Sequence, residues 1–210
     1  MQHSQFFKNK NLHSKAHGGD LSIRRRKSKR LLSIRNPFHV TLRTDFSRGK
    51  RNLLRHKNLI YKILGKASRR FRIKIHEQAI CGNHIHLLIK GHRKIDLQNF
   101  FRVVAGHIAQ QILEQYPILE DERATAQMAQ KQKRGNALES RKELKYQRKF
   151  WCALLYSRLV AWGRDFKNVM SYIEMNTLEA IGWISYQVRK SRYVDKNRGN
   201  APNVLSKARV

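Results

Sequence analysis

Two alternating runs separated by three turn-forming residues constrain this chain more than any other feature. Arg72 to Ile80 alternates at first, with Ile73 and Ile75 set against Lys74 and His76, and reads as a strand. His84 to Lys90 is a second run, with Ile85, Leu87 and Ile89 on one face and His84 and His86 on the other. Cys81-Gly82-Asn83 lies between them, and Gly and Asn tolerate positive φ, so the runs pair as an antiparallel hairpin. The isoleucine–leucine face points to a helix-covered core.

The neighbouring patterns complete a fold class. Phe38, Val40 and Leu42 alternate with His39, Thr41 and Arg43, the signature of a half-buried strand. A helix is predicted from about Leu53 to Arg69. A second, Leu97 to Leu113, has Phe100, Phe101, Val104, Ile108 and Ile112 at helical spacing. Phe150 to Val160 is an apolar run read as a fourth strand. Asp165 to Glu179 is a last helix, with Phe166, Val169, Met170 and Ile173 on one stripe. The order β-α-β-β-α-β-α predicts an α+β, ferredoxin-like sandwich with an antiparallel sheet and an added C-terminal helix.

Charge divides the chain. Its 210 residues are one-domain length and 40% hydrophobic, yet 45 Lys+Arg against 14 Asp+Glu leave a net charge of +31. Polyanions are the expected partners of so basic a chain. Residues 1–35 read as a basic flexible arm around Arg24-Arg25-Arg26-Lys27, and 36–185 as the folded domain. Within it, 121–149 reads as a polar, basic insertion, and 186–210 as a basic tail. No run of 18 apolar residues and no apolar signal core is present, which predicts no membrane association. Cys81 and Cys152 are too few for a disulfide scaffold and read as reduced thiols of a cytoplasmic protein.

His84 and His86, two apart on a strand, project about 7 Å apart from one face, close enough for one ion between two imidazoles. Alone, His-x-His is a weak motif, and a pair of solvated histidines is its simpler reading. The last helix adds to it: Tyr172 and Asn176 lie one turn apart on the flank of the apolar stripe. A tyrosine there is a nucleophile or a packing residue, and the Asn176 amide oxygen is a candidate third ligand. His39 and His76, also on strands, would border the metal or a phosphate, a hydrogen-bonded structural role being the simpler reading. Trp151, Trp162 and Trp183 are candidates for base stacking, with Trp162 read as core.

These residues carry a resemblance. Asn83-His84-Ile85-His86-Leu87-Leu88-Ile89 resembles the HUH box of the single-tyrosine transposases, and Phe38-His39-Val40-Thr41-Leu42-Arg43 their first strand. Ser171-Tyr172-Ile173-Glu174-Met175-Asn176 resembles their catalytic helix. Trp162-Gly163-Arg164-Asp165-Phe166 is similar to the branch of REP-associated, insertion-sequence-200-like enzymes. The likeness spans about 36–185. Gly82 and Thr177 stand where relatives often have Pro, and the 121–149 insertion has no counterpart we recognise.

The resemblance implies metal-dependent nicking and joining of single-stranded DNA at hairpin-forming repeats, with Tyr172 as nucleophile and His84, His86 and Asn176 as metal ligands. A phenol titrates near ~10 and needs such activation. Two imidazoles and an amide suit Mn²⁺, while cellular abundance favours Mg²⁺; no thiolate set closes a structural zinc site. Arg24, Arg25, Arg26, Lys27, Arg43, Lys74 and Lys90 are the candidate phosphate contacts. A nucleoid-associated cytoplasmic enzyme is expected, with dimerisation left open. The rival expectation is a basic nucleic-acid binder without catalysis, which has no need of a tyrosine one turn from a metal ligand.

Overall fold

A computed structural model describes residues 16–19, 29–118 and 150–186. Strand β1 is Ala16–His17, β2 Phe38–Arg43, β3 Ile73–Ile80, β4 His84–Gly91 and β5 Tyr156–Leu159. Helix α1 is Lys57–Phe71, α2 Lys94–Gln115 and α3 Arg164–Ala180. The sheet order is β1-β5-β2-β4-β3, every pair antiparallel. Its four longer strands follow the ferredoxin-like order, so the fold is α+β as the sequence predicts.

Alternation sorts the sheet into two faces. Phe38, Val40, Leu42, Ile85, Leu87 and Ile89 point one way and are buried under α1 (Ile60, Ile63, Leu64) and α2 (Leu97, Phe100, Val104, Ile108, Ile112). On the other face Ala79, Leu88 and Val160 meet Val169 and Ile173 of α3, with Phe166 and Met170 alongside. This second, smaller core and the Arg158–Asp165 ion pair, at 3.0 Å, seat α3 on the histidine face. Each fully buried Val or Ile contributes about 1.5–3 kcal/mol of burial free energy.

β3 changes phase midway. Ile75 pairs with Ile89 and Glu77 with Leu88, which leaves His76 as an extra residue in a β-bulge. The shift carries Ile80 to the main-core face opposite Ile85 and Ala79 to the α3 face opposite His86. This explains why the alternation of 72–80 fades after His76.

Several element boundaries differ from expectation. The 53–69 helix opens as a 3-10 turn, Leu53–His56, before α1 proper. Asn52 caps that turn by accepting from Leu54 N. α1 ends at Arg72, whose φ of 52° makes the left-handed cap without glycine. The fourth strand is only Tyr156–Leu159. Phe150 is buried in the main core, Trp151 Nε1 donates to Ala105 O of α2 at 2.8 Å, and Cys152 N donates to Arg43 O at 3.0 Å. That apolar run is therefore mostly a plug. At the other end of β5, Gly163 has φ 89° and ψ −128°, a conformation open to glycine, and this turns the chain directly into α3.

The expected flexible arm is not free throughout. Ala16 and His17 pair with Arg158 and Ser157. The Arg30 guanidinium donates to Ser157 Oγ at 2.5 Å and Leu155 O at 2.7 Å, and Leu32 is buried. The folded unit thus draws on residues before 36. Arg24, Arg25, Arg26 and Lys27, the 121–149 insertion and the tail beyond Tyr186 lie outside the described residues. Among the described residues no helix is long and apolar enough to cross a membrane.

Candidate active site

Three imidazoles and a phenol gather between the sheet and α3. His84 and His86 leave β4 on the α3 face, their ring centroids 4.7 Å apart and the planes at 83°. Across the β2–β4 register Thr41 is opposite His86 and Arg43 opposite His84. His39, two residues before Thr41 on the same face, has its ring centroid 5.2 Å from that of His86, with the planes 24° apart. The Tyr172 ring meets His86 edge-on at 5.4 Å and 80°, and His39 at 5.8 Å and 76°. One chain supplies all four rings. Tyr172 remains 37% exposed.

The Nδ1 edges of both histidines are engaged. His84 Nδ1 is 2.7 Å from Asn83 Oδ1; an amide oxygen only accepts, so Nδ1 carries the proton and Nε2 the lone pair. His86 Nδ1 lies 3.1 Å from His39 Nε2 and 3.2 Å from Thr41 Oγ1. Burial, and after it the charge of Arg43, holds His84 below the usual imidazole pKa. Burial and then Arg158 press His39 down to about 4, against a smaller opposing effect of Asp165. Neutral rings of this kind are the form that ligates metals.

Asn176 is buried on the sheet side of α3. Its Nδ2 donates to Tyr172 O at 2.6 Å, which turns Oδ1 away from that carbonyl. Its own carbonyl is 3.9 Å from Cys81 Sγ, and Cys81 N donates to His84 O at 2.9 Å. Asn176 therefore sits over the end of the hairpin that bears His84. Among the described residues no three His, Cys, Asp or Glu side chains cluster as a metal cage. Two imidazoles and an amide oxygen nevertheless fit a divalent ion that keeps oxygen ligands from water or phosphate, a donor set nearer to what Mn²⁺ takes than Mg²⁺.

The basic candidates divide. Arg43, exposed, flanks the site. Lys74 and Lys90 pair with each other at the far end of the sheet, about 20 Å along β4 from His84 at ~3.3 Å per residue. There Lys90 Nζ lies 5.2 Å from the centre of the Trp162 ring. Trp162 is not core: it is 48% exposed, tilted over Phe166, and donates from Nε1 to Arg35 O. Apolar character alone does not separate a rim from an interior. His76 packs edge-on against the same Trp162 and Phe166 and is not part of the ring cluster.

Sequence reasoning passed over Thr41, whose only signal was its place two residues after His39. It also passed over α1, where Lys57, Lys62, Lys66, Arg69 and Arg70 lie exposed in a helix without an acidic residue. That stripe is on the opposite side of the sheet from Tyr172.

Residues 37–129 match the family described as "Transposase IS200 like". Over that segment the chain is similar to the IS200-like transposases. The match takes in β2 through α2, hence His39, Thr41, His84 and His86, and stops before α3. Among solved structures, a REP-associated tyrosine transposase bound to a REP hairpin is similar at 13% identity and a TM-score of 0.48, over 76% of each chain. A candidate transposase from Deinococcus radiodurans R1 is similar at 13% identity and a TM-score of 0.37, over 72% of this chain and 98% of the other. No curated protein matches the chain. The likeness to that family thus covers the strands and helices that present the histidine pair, while Tyr172 and Asn176 join the site through the packing of α3.

Proposed function

We propose that this chain is an IS200-like transposase that nicks and rejoins single-stranded DNA through a 5′-phosphotyrosine on Tyr172, at hairpin-forming repeats. The observation that carries the reading is the Tyr172 ring 5.4 Å from His86, with His84 beside it, within one chain. In the nicking step Tyr172 Oη forms a bond to phosphorus as the bond from phosphorus to the 3′-oxygen breaks. The phenolic proton leaves to solvent, and the departing oxygen takes up a proton as a 3′-hydroxyl. The new phosphodiester keeps its bond energy, so another 3′-hydroxyl can reverse the step on a different strand without ATP. His84, His86 and Asn176 are the residues to hold a divalent ion, Mg²⁺ or Mn²⁺, which would supply Lewis-acid polarisation of the phosphate. Arg43 is placed to neutralise a phosphate beside His84.

Incubation of the protein with single-stranded hairpin DNA and Mg²⁺ or Mn²⁺ tests this. A covalent protein–DNA adduct that requires Tyr172 is the expected result. DNA binding without any adduct, across both metals and several hairpins, would replace the reading with that of a non-catalytic nucleic-acid binder.

A further inference from the structure

His86 Nδ1 faces two neighbours that differ in what they permit. The Thr41 hydroxyl rotates and can donate or accept, so it tolerates either tautomer of His86. His39 Nε2, at 3.1 Å, forms a bond between two ring nitrogens, and such a bond holds one proton. With the proton on His86 Nδ1, His86 Nε2 presents a lone pair. With the proton on His39 Nε2, His86 Nε2 carries hydrogen instead and cannot ligate.

We infer that His39 is a positioning residue for His86: the two rings share one proton, and His39 takes the acceptor end whenever His86 Nε2 engages a metal ion. The inference rests on the proposed role of His86 as a ligand. Three observations favour it. The ring planes lie 24° apart with centroids at 5.2 Å, close to the coplanar arrangement that an in-plane bond between ring nitrogens needs. The β2–β4 register holds both backbones in a continuous ladder from Phe38 to Arg43. The Tyr172 ring closes over both imidazoles, limiting their rotation. Partners on the far nitrogen of a ligating histidine fix its tautomer and ring direction, and their loss costs about 10–100-fold in metal affinity.

The test combines NMR and metal titration on the full chain at one slightly alkaline pH. With ¹⁵N-labelled imidazoles, a coupling across the hydrogen bond between His39 and His86 nitrogens is expected. Addition of diamagnetic Mg²⁺ should place the proton on His86 Nδ1 and leave His39 Nε2 without one. In calorimetric titration with Mn²⁺, His39→Phe, which keeps an aromatic ring and removes the acceptor, should weaken binding about 10–100-fold. His39→Gln, which restores an accepting oxygen, should recover most of it. Circular dichroism confirms that each variant is folded. Absence of the coupling in wild-type protein, with and without Mg²⁺, would overturn the inference. So would undiminished Mn²⁺ affinity in folded His39→Phe when His84→Ala and His86→Ala have lost it. If wild-type protein binds no divalent ion, the proposed metal site itself falls, and the role of His39 with it.

Discussion

Tyr172 stands edge-on to His86, on a helix seated there by a small apolar core and by the Arg158–Asp165 ion pair to β5. Tyr172 and His86 belong to separate parts of the chain. Their juxtaposition therefore depends on α3 docking and is testable apart from the chemistry.

Tyr172→Phe keeps the ring and its contacts with His39 and His86 and removes only the hydroxyl. Thermal midpoint and DNA affinity should stay near wild type, while the covalent adduct on denaturing gels disappears. An adduct that persists identifies another nucleophile.

Ile173 is fully buried in the small core beneath α3. Ile173→Ala should destabilise by about 2–5 kcal/mol. Because this core helps seat α3 on the histidine face, adduct formation should fall more steeply with temperature than in wild type. Denaturant melts and adduct yield at several temperatures measure both effects. A variant with wild-type stability would show that α3 is held by other means.

The Cys152 thiol is pushed up to about 12, first by burial and then by Asp45, with Arg43 opposing. A raised acid pKa in the folded state means that the unfolded chain loses its proton first. The associated stability is present below the ordinary thiol pKa of 9.0 and fades as pH rises from there toward 12. Native protein should resist iodoacetamide at pH 8 at both Cys152 and the buried Cys81, and react fully in guanidinium. Mass spectrometry of the alkylated protein reads this directly.

Salt dependence should separate the basic residues by role. Replacing Arg24, Arg25, Arg26 and Lys27 with alanine should reduce the slope of log affinity against log salt by up to about 3 for single-stranded DNA, at ~0.7 per phosphate. Arg30→Ala should instead lower stability, because its guanidinium ties Ser157 and Leu155 to the domain. Filter binding across a salt series, paired with thermal melts, distinguishes the two.

Much of this protein was determined by its sequence alone. The hairpin, the three helices, the β2 strand and the shared face of His84 and His86 were all legible there. Each is written in neighbouring side chains, whose period of two or of 3.6 sets which face is apolar. Only the tertiary structure decided the rest. It shortened β5 to Tyr156–Leu159, because Phe150 and Trp151 find better burial against α2 than in a ladder. It added β1 from the expected arm, inserted the bulge at His76, and exposed Trp162. It also chose the register that sets His39 and Thr41 against His86, and the face on which α3 lands. Those choices arise from contacts between residues far apart in the chain, where complementary packing and paired hydrogen bonds select one arrangement from several that local pattern permits equally.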